Sequence, residues 1–389
     1  MVNQMNCPIC DSTDHQILKE FDQSITSDSK MISEKVVTTI CCDCGNVFNL
    51  HGARNKTFTF YQDSYDLHGS SFQAETQIYE KNTMSLSDWR LQHLLSLNIL
   101  QNSGKILDIG CGKGNFLQEF QFIFSNWDLF GVESSKISLN IAKQNLSAFN
   151  FYEGIYEKEK FQTKFNLIVA FNVLEHIENP KLFLEHIHHD LDIDGYVCFD
   201  VPNFKINPAD LFVYDHLTHF TSDTLRNLLH EVGFKIIKLV EDNNKVPLFV
   251  ICKKSVKKLN LINHFSIMKK LVLDIMNYND KFFSTYENVN KKFDKIGVIG
   301  LGIPIWFAIQ NNIIESSKIV YFYDENRTII GTKPFDIFVK PLDTISEEPL
   351  LPLIFSVSPC YIGTLNKKIN NYNNVQFFPK SYLYYQKYF

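Results

Sequence analysis

Five of the nine cysteines lie within the first 44 residues, and four of these form two pairs with identical spacing. Two residues separate Cys7 from Cys10, and two separate Cys41 from Cys44. Each pair can present two thiolates from one tight turn, and four thiolates satisfy the tetrahedral coordination of structural zinc. The spacing therefore predicts a closed Zn²⁺ site, with Cys42 as a spare thiol and an insertion hairpin in the 30 residues between the pairs.

A glycine-rich turn follows an apolar run at residues 106–116, which read I-L-D-I-G-C-G-K-G-N-F. Gly110 and Gly112, on either side of Cys111, allow backbone torsions and close approaches that a Cβ atom would prevent. Asp108 is placed either to reach a ligand or to brace the loop. The glycines alternate and do not follow the G-x-G-x-x-G spacing of dinucleotide sites. The segment predicts a strand, a ligand-binding turn and a helix.

An acidic residue, Glu133, ends a second apolar run about 25 residues after the glycine turn. A carboxylate at the end of the neighbouring strand can accept hydrogen bonds from both hydroxyls of a ribose. The glycine turn and Glu133 together predict a nucleoside-binding crevice at the carboxyl ends of parallel strands.

Strands and helices alternate around these residues, which predicts an α/β fold with a mostly parallel sheet. The predicted central strands are residues 105–109, 128–132, 165–171 and 196–201. A second alternation begins at Lys295. The predicted parts are a zinc-binding ribbon (1–60), a helical connector (61–104), a nucleoside-binding core (105–255), a helical linker (256–292) and a second, smaller α/β domain (293–389).

Residues 105–253 resemble the class I S-adenosylmethionine-dependent methyltransferases. The resemblance rests on the 106–116 segment, on Glu133 and on the run F-N-V-L-E-H at residues 171–176. It implies a Rossmann-like core with S-adenosylmethionine as cofactor. The implied cofactor-binding residues are Asp108, Gly110, Cys111, Gly112, Glu133, Phe171, Asn172 and His176.

The order of ribbon, methyltransferase core and second Rossmann-like domain resembles the sugar C-methyltransferases, which act on nucleotide-linked deoxysugars. In the segment V-Y-D-H-L-T-H-F-T (213–221) the resemblance implies His216 as the catalytic base and Asp215 as its neighbouring carboxylate, with His219 as a further catalytic residue. Val213, Tyr214 and His219 replace residues of that family's pattern, so the acceptor atom stays open between carbon and oxygen.

Composition limits the possible partners. The net charge of −5 lacks the basic excess of a nucleic-acid coat, and no stretch is long and apolar enough to span a membrane. The N-terminal residues do not resemble a signal peptide, so we expect a cytoplasmic protein with a small-molecule substrate, most simply a nucleotide-linked sugar. The oligomeric state is left open.

Three alternatives remain at this stage. The acceptor could be a non-sugar metabolite, a lipid or a peptide. The ribbon could bind RNA or protein. Finally, Gly297, Gly300 and Gly302 with Asp324 could form a nicotinamide-dinucleotide site, although their spacing departs from the usual pattern.

Overall fold

The structure is a computed structural model. It describes residues 5–51, 76–78, 83–146, 150–242, 246–255, 261–347, 351–369 and 376–378.

The N-terminal part contains the four paired cysteines and strands of two small antiparallel sheets. Its strands are β1 (His15–Phe21), β2 (Ser24–Ile25), β3 (Met31–Ile32), β4 (Val36–Cys41) and β5 (Val47–Asn49). Strand β4 lies between β1 and β5, while β2 and β3 pair with each other. The β2–β3 pair is the insertion hairpin expected between the two cysteine pairs.

The connector, as far as it is described, contains an antiparallel strand pair and one helix. These elements are β6 (Thr76–Ile78), β7 (Thr83–Ser85) and α1 (Leu86–Leu95). Ser85 caps α1, since its hydroxyl accepts a hydrogen bond from the Asp88 amide. The remainder of the predicted connector up to residue 82 lies outside the described residues.

The central domain has a sheet flanked by helices, and the described part of this sheet has seven strands. The elements are β8 (Gly104–Ile109), α2 (Asn115–Ile123), β9 (Trp127–Glu133), α3 (Lys136–Asn145), β10 (Asn150–Glu153), β11 (Phe165–Phe171), α4 (Pro180–Asp190), β12 (Leu191–Pro202), β13 (Thr218–His219), α5 (Ser222–Val232), β14 (Phe234–Val240) and β15 (Pro247–Lys254). The strand order is β10-β9-β8-β11-β12-β15-β14, with β13 outside this sheet.

The sheet is parallel except for β15, which is antiparallel to both of its neighbours. Strand β8 lies between β9 and β11, so the chain order reverses there. In such sheets, ligands bind in the crevice beyond the carboxyl ends of the strands at the reversal point. The four predicted central strands and the α/β class are confirmed.

The C-terminal part is a second parallel α/β unit, joined to the core by a long helix. Its elements are α6 (Phe265–Lys292), β16 (Ile296–Ile299), α7 (Ile303–Gln310), β17 (Ile319–Asp324), β18 (Val339–Pro341), β19 (Pro352–Phe355), α8 (Pro359–Ile369) and β20 (Gln376–Phe378). Among the described residues, its strands follow the order β18-β17-β16-β19-β20. Helix α6 falls within the predicted linker.

Hydrophobic clusters cross the predicted domain boundaries. One cluster packs the ribbon residue Phe48 and three of the paired cysteines with the central sheet. A second joins Ile40 and Val47 of the ribbon to α6 and to Val298 of the C-terminal sheet. In the described part of the chain, no helix combines the length and apolarity that a membrane span requires.

Candidate functional site

The paired cysteines converge as the spacing predicts. The sulfur atoms of Cys7 and Cys44 are 3.7 Å apart, and those of Cys10 and Cys41 are 3.5 Å apart. A zinc–sulfur bond of about 2.3 Å in a tetrahedral site places sulfurs about 3.8 Å from each other. The four thiols therefore fit Zn²⁺, while Cys42 is not part of the cluster.

The glycine turn joins β8 to α2 in left-handed backbone conformations. Gly110 has φ +72° and Gly112 has φ +53°, which L side chains rarely adopt. A Cβ atom added at Gly110 would lie 2.5 Å from Val173 Cγ2, whereas one at Gly112 would meet no atom within 4 Å. Gly110 is thus needed for packing, and Gly112 borders open space.

Glu133 holds the turn from the end of β9. Its Oε2 accepts a hydrogen bond from the Gly112 amide (2.8 Å), and its Oε1 accepts one from the Ser135 amide (2.7 Å). Burial raises the pKa of Glu133, opposed by these backbone hydrogen bonds. The Ser134 hydroxyl donates a longer second hydrogen bond to Oε1 (3.4 Å), so Oε2 is the oxygen that keeps a lone pair for a ribose hydroxyl. Cys111 is buried behind the turn.

Asp108 and a buried ion pair lie near the carboxyl ends of the central strands. Burial raises the pKa of Asp108 to about 8, against the opposing charge of Arg90. Arg90 Nε donates to Asp200 Oδ2 (2.6 Å), and its guanidinium carbon lies 4.4 Å from the Phe171 ring centre. Asn172 follows Phe171 in a left-handed conformation (φ +51°), with its amide bonded to Asp200 Oδ1 (2.9 Å).

Sequence reasoning missed Arg90 and Asp200. They are 110 residues apart, and neither belongs to a recognisable motif. A buried carboxylate at the end of β12 needs a cationic partner, but the sequence does not show which basic residue reaches it.

Three predicted histidines lie together at the carboxyl ends of β11 and β12. His216 Nδ1 donates to Asp210 Oδ1 (2.6 Å), and His219 Nδ1 donates to Asp210 Oδ2 (2.6 Å). The rings of His176 and His216 have centres 4.8 Å apart. One carboxylate thus orients two imidazoles, and Asp210 was not identified from the sequence.

The hydrogen bond to the His216 ring comes from Asp210, whereas Asp215, the carboxylate that the resemblance implied, acts on the ring through its charge and raises its pKa. Its carboxylate accepts hydrogen bonds from the Ser27 amide (2.8 Å) and hydroxyl (2.6 Å), and its carbonyl accepts one from His176 Nδ1 (2.9 Å). The chain turns between Asp210 and His216, which brings Asp210 to the imidazole while Asp215 faces the ribbon hairpin. Asp210 is the direct partner of His216.

Burial and neighbouring charges shift the pKa values of the residues in this histidine cluster. Burial alone lowers the pKa of His216, but Asp210 and the other nearby carboxylates raise it, giving a value of about 9. Burial lowers the pKa of His176 to about 4 and raises that of Glu175 to about 8. The pKa of Asp210 falls below its usual range because the two histidines outweigh the effect of its burial.

The C-terminal glycine turn, at residues 297–302, is hydrogen-bonded and closely packed by other residues of the same chain. Asp324 Oδ2 accepts a hydrogen bond from the Leu301 amide (3.0 Å), and its Oδ1 accepts one from the Asn326 amide (2.8 Å). A Cβ atom at Gly302 would lie 2.6 Å from the Ser356 carbonyl oxygen. Here the glycine allows contact with Ser356, which gives the dinucleotide alternative no support.

The central domain has the α/β architecture with a mostly parallel sheet that is typical of Rossmann-like methyltransferases. Residues 82–239 match a family described as "Methyltransferase domain". This match covers the turn, Glu133 and the histidine cluster.

Among the curated relatives, the malonyl-(acyl-carrier protein) O-methyltransferase of Bacillus anthracis is 22% identical over 143 residues, 36% of this chain and 52% of that protein. The mitochondrial ubiquinone biosynthesis O-methyltransferase of Schizosaccharomyces pombe is 30% identical over 87 residues, 21% of this chain and 31% of that protein. The chain therefore spans about half the length, or less, of these relatives. A solved S-adenosylmethionine-dependent methyltransferase from Clostridium acetobutylicum is 14% identical, covering 43% of this chain and 90% of that one with a TM-score of 0.37.

Proposed function

We propose that the whole protein transfers a methyl group from S-adenosylmethionine to carbon or oxygen of a small molecule, most specifically a nucleotide-linked sugar. The observation that carries the proposal is the glycine turn. Gly112 borders open space while its amide is fixed by Glu133. This geometry suits a nucleoside lying against the backbone with its ribose at Glu133.

When bound, S-adenosylmethionine supplies an electrophilic methyl group on a sulfonium. An oxygen or carbon acceptor must lose a proton to attack the methyl carbon, and the sulfur keeps the electrons of the broken carbon–sulfur bond. We place the acceptor beside His216. Because Asp210 engages Nδ1 of this ring, Nε2 is the nitrogen that faces the acceptor in the proposal. This nitrogen can accept a proton only while the ring is neutral, and with a pKa raised to about 9 the ring is neutral mainly at alkaline pH.

The second α/β domain is the proposed frame for the rest of the acceptor. It contacts the segment that carries Asp210: Ser358 Oγ donates to Asn207 Oδ1 (3.0 Å). From the linker helix α6, Asn279 Nδ2 donates to the Pro208 carbonyl (2.9 Å). An acceptor with a nucleotide at one end and a sugar at the other would use both domains, which favours this class over a small free metabolite.

A transfer assay with a methyl-labelled donor tests the proposal. We expect label on one or more nucleotide-linked sugars and none on the corresponding free sugars. His216→Gln should abolish transfer while leaving affinity for S-adenosylhomocysteine within about threefold. His186→Gln, on helix α4, is the matched control and should behave as wild type.

Two results would contradict the proposal at different levels. Calorimetry without binding of either S-adenosylmethionine or S-adenosylhomocysteine would overturn the methyltransferase activity. Binding of the donor with label only on lipids, peptides or non-sugar metabolites would overturn the substrate class alone.

A further inference from the structure

Glu175 is a buried carboxylate with an unsatisfied oxygen. The residue is 2% exposed, and its Oε2 has no hydrogen-bond partner among the described residues. It lies in the short 3-10 helix Leu174–His176 that follows β11, at the edge of the sheet facing the histidine cluster. A buried carboxylate oxygen without a donor carries a desolvation cost that a bound cation would offset.

Two imidazoles lie next to this carboxylate. His176 Nε2 is 3.8 Å from Glu175 Oε1, and the His216 ring packs edge-on against the His176 ring. The potential ligand atoms of Glu175, His176 and His216 all lie within 4.8 Å of one another. Three side chains from two separate chain segments thus converge on one point.

Both imidazoles are oriented by hydrogen bonds at their far nitrogens. His176 Nδ1 donates to the Asp215 carbonyl (2.9 Å), and His216 Nδ1 donates to Asp210 Oδ1 (2.6 Å). In the neutral rings such bonds keep the proton on Nδ1, so Nε2 is the nitrogen that can bind a metal once the ring has lost its other proton. Metal-ligating histidines have the same arrangement, in which the other ring nitrogen donates to a carbonyl or a carboxylate.

We propose that Glu175, His176 and His216 bind a divalent transition-metal ion, separate from the cysteine site. Two imidazoles and one carboxylate suit first-row ions such as Fe²⁺, Mn²⁺, Co²⁺ or Zn²⁺ better than Mg²⁺ or Ca²⁺. Bonds of about 2.1 Å require the ligand atoms to move together by roughly 1 Å. Three protein ligands leave open positions at the ion.

The role of the ion rests on the proposed function, but its binding does not. An open position facing the acceptor would take an acceptor oxygen and, by Lewis acidity, make the proton on that oxygen easier to lose to a water molecule. His216 then acts through the ion instead of as a free base. Because ion binding can be measured without any methyl donor or acceptor, the two proposals can fail independently.

Metal content of the full chain is the first test. After incubation with excess Co²⁺ and gel filtration, elemental analysis should find about two metal ions per wild-type chain and about one in Glu175→Gln. Glu185→Gln, an exposed glutamate on α4, is the matched control and should retain about two. A wild-type chain that holds only the ion at the cysteines overturns the proposal.

Cobalt spectra identify which site is filled. Co²⁺ at the cysteines gives intense thiolate charge-transfer absorption, whereas a nitrogen–oxygen site adds only weak ligand-field bands. Titration of wild type should show both, and Glu175→Gln and His216→Gln should keep the thiolate absorption while losing at least about tenfold in affinity at the second site. The retained thiolate signal shows that the variants fold.

Calorimetry with S-adenosylhomocysteine on the same samples separates the proposals. A chain that binds this ligand but only one metal ion overturns the second site and leaves the methyltransferase proposal intact. A chain that binds two ions but no such ligand supports the metal site and overturns the proposed function.

Discussion

The buried residue Asp108 should make the folding stability of the chain depend on pH. Its side chain, 3% exposed, faces the cation of Arg90 and the carboxylates of Glu133 and Asp200. Burial outweighs the attraction of Arg90, so the pKa rises from 3.8 to about 8. Between these two values the folded chain keeps a proton that the unfolded chain has released. Folding stability therefore falls as the pH rises through this window.

Replacing Asp108 by Asn should remove this pH dependence. Compared with Asp108→Asn, the ligand-free wild type should lose up to about 1.4 kcal/mol of unfolding free energy per pH unit between about pH 5 and 8. Denaturant unfolding of both proteins at several pH values measures the difference. Parallel stability curves for the two proteins would show that Asp108 is ionised in the folded chain.

The effects of backbone strain and of ligand contact at Gly112 can be tested separately, because the chain has a second glycine with a similar conformation. Gly331 also has a left-handed backbone (φ +84°) and open space where a Cβ would lie. Alanine at either position should cost about 1 kcal/mol of stability. Only Gly112→Ala should also weaken S-adenosylhomocysteine binding, by at least about tenfold, since its Cβ enters the crevice. Calorimetry with S-adenosylhomocysteine on both variants checks this. Equal affinities of the two variants for this ligand would show that it does not bind at the Gly112 turn.

The histidine cluster shows which site residues the sequence could reveal. His216 and His219 stand out because their chemistry suits proton transfer near neutral pH. The resemblance to the sugar C-methyltransferases implied Asp215 as the carboxylate beside His216, yet the turn after Asp210 puts this more distant carboxylate against both rings. Side-chain direction in an irregular loop depends on tertiary packing, which one sequence does not encode in any short pattern.

At the scale of elements, the N-terminal strands contact the segment that carries His216 and His219. Strand β13, which contains His219, pairs with β5 and extends the ribbon sheet. The β2–β3 hairpin adds the Ser27 hydrogen bonds to Asp215. A structural metal at the cysteines would thereby hold the loop that carries the histidines, although no cysteine touches that cluster.

Loss of the cysteine site should therefore impair transfer more than donor binding. Cys41→Ser should release the metal, lower stability by several kcal/mol (an order-of-magnitude expectation) and reduce transfer at least about tenfold. The donor site on β8 and β9 should keep its affinity within about threefold. Cys42→Ser is the matched control and should resemble wild type in metal content and transfer. Full transfer by metal-free Cys41→Ser would show that the ribbon is dispensable for the site.

Local patterns predict the elements of this chain better than their contacts. The strands around the glycine turn are readable because apolar runs end in glycine or acidic residues, and the β2–β3 hairpin follows from the cysteine spacing. The pairing of β13 with β5 joins Thr218 to Phe48 across 170 positions, and two-residue strands carry no periodic signal. The contact between the N-terminal sheet and the segment that carries the histidines is visible only in three dimensions.

At the scale of the whole molecule, one hydrophobic cluster crosses the predicted domain boundaries, while the central and C-terminal sheets also have clusters of their own. The cluster containing Ile40 of the ribbon continues through Phe204 of the central domain and α6 to Val298 in β16. Breaking any one part would expose apolar surface on the others. Residues that share one buried cluster tend to unfold together, so ribbon, core and C-terminal domain should behave as one cooperative unit.

Ligand binding at the glycine turn should consequently protect the distant C-terminal sheet. At a concentration 100 times the Kd, S-adenosylhomocysteine should stabilise the folded state by about 2.7 kcal/mol. In one cooperative unit the slowest amides of β8 and of β16 gain the same protection, which hydrogen exchange with mass spectrometry can measure. Gly112→Ala, with binding weakened about tenfold, should gain only about 1.4 kcal/mol in both strands at the same ligand concentration. Protection confined to β8 would mean that the C-terminal domain unfolds independently, and that the shared cluster does not couple it to the crevice.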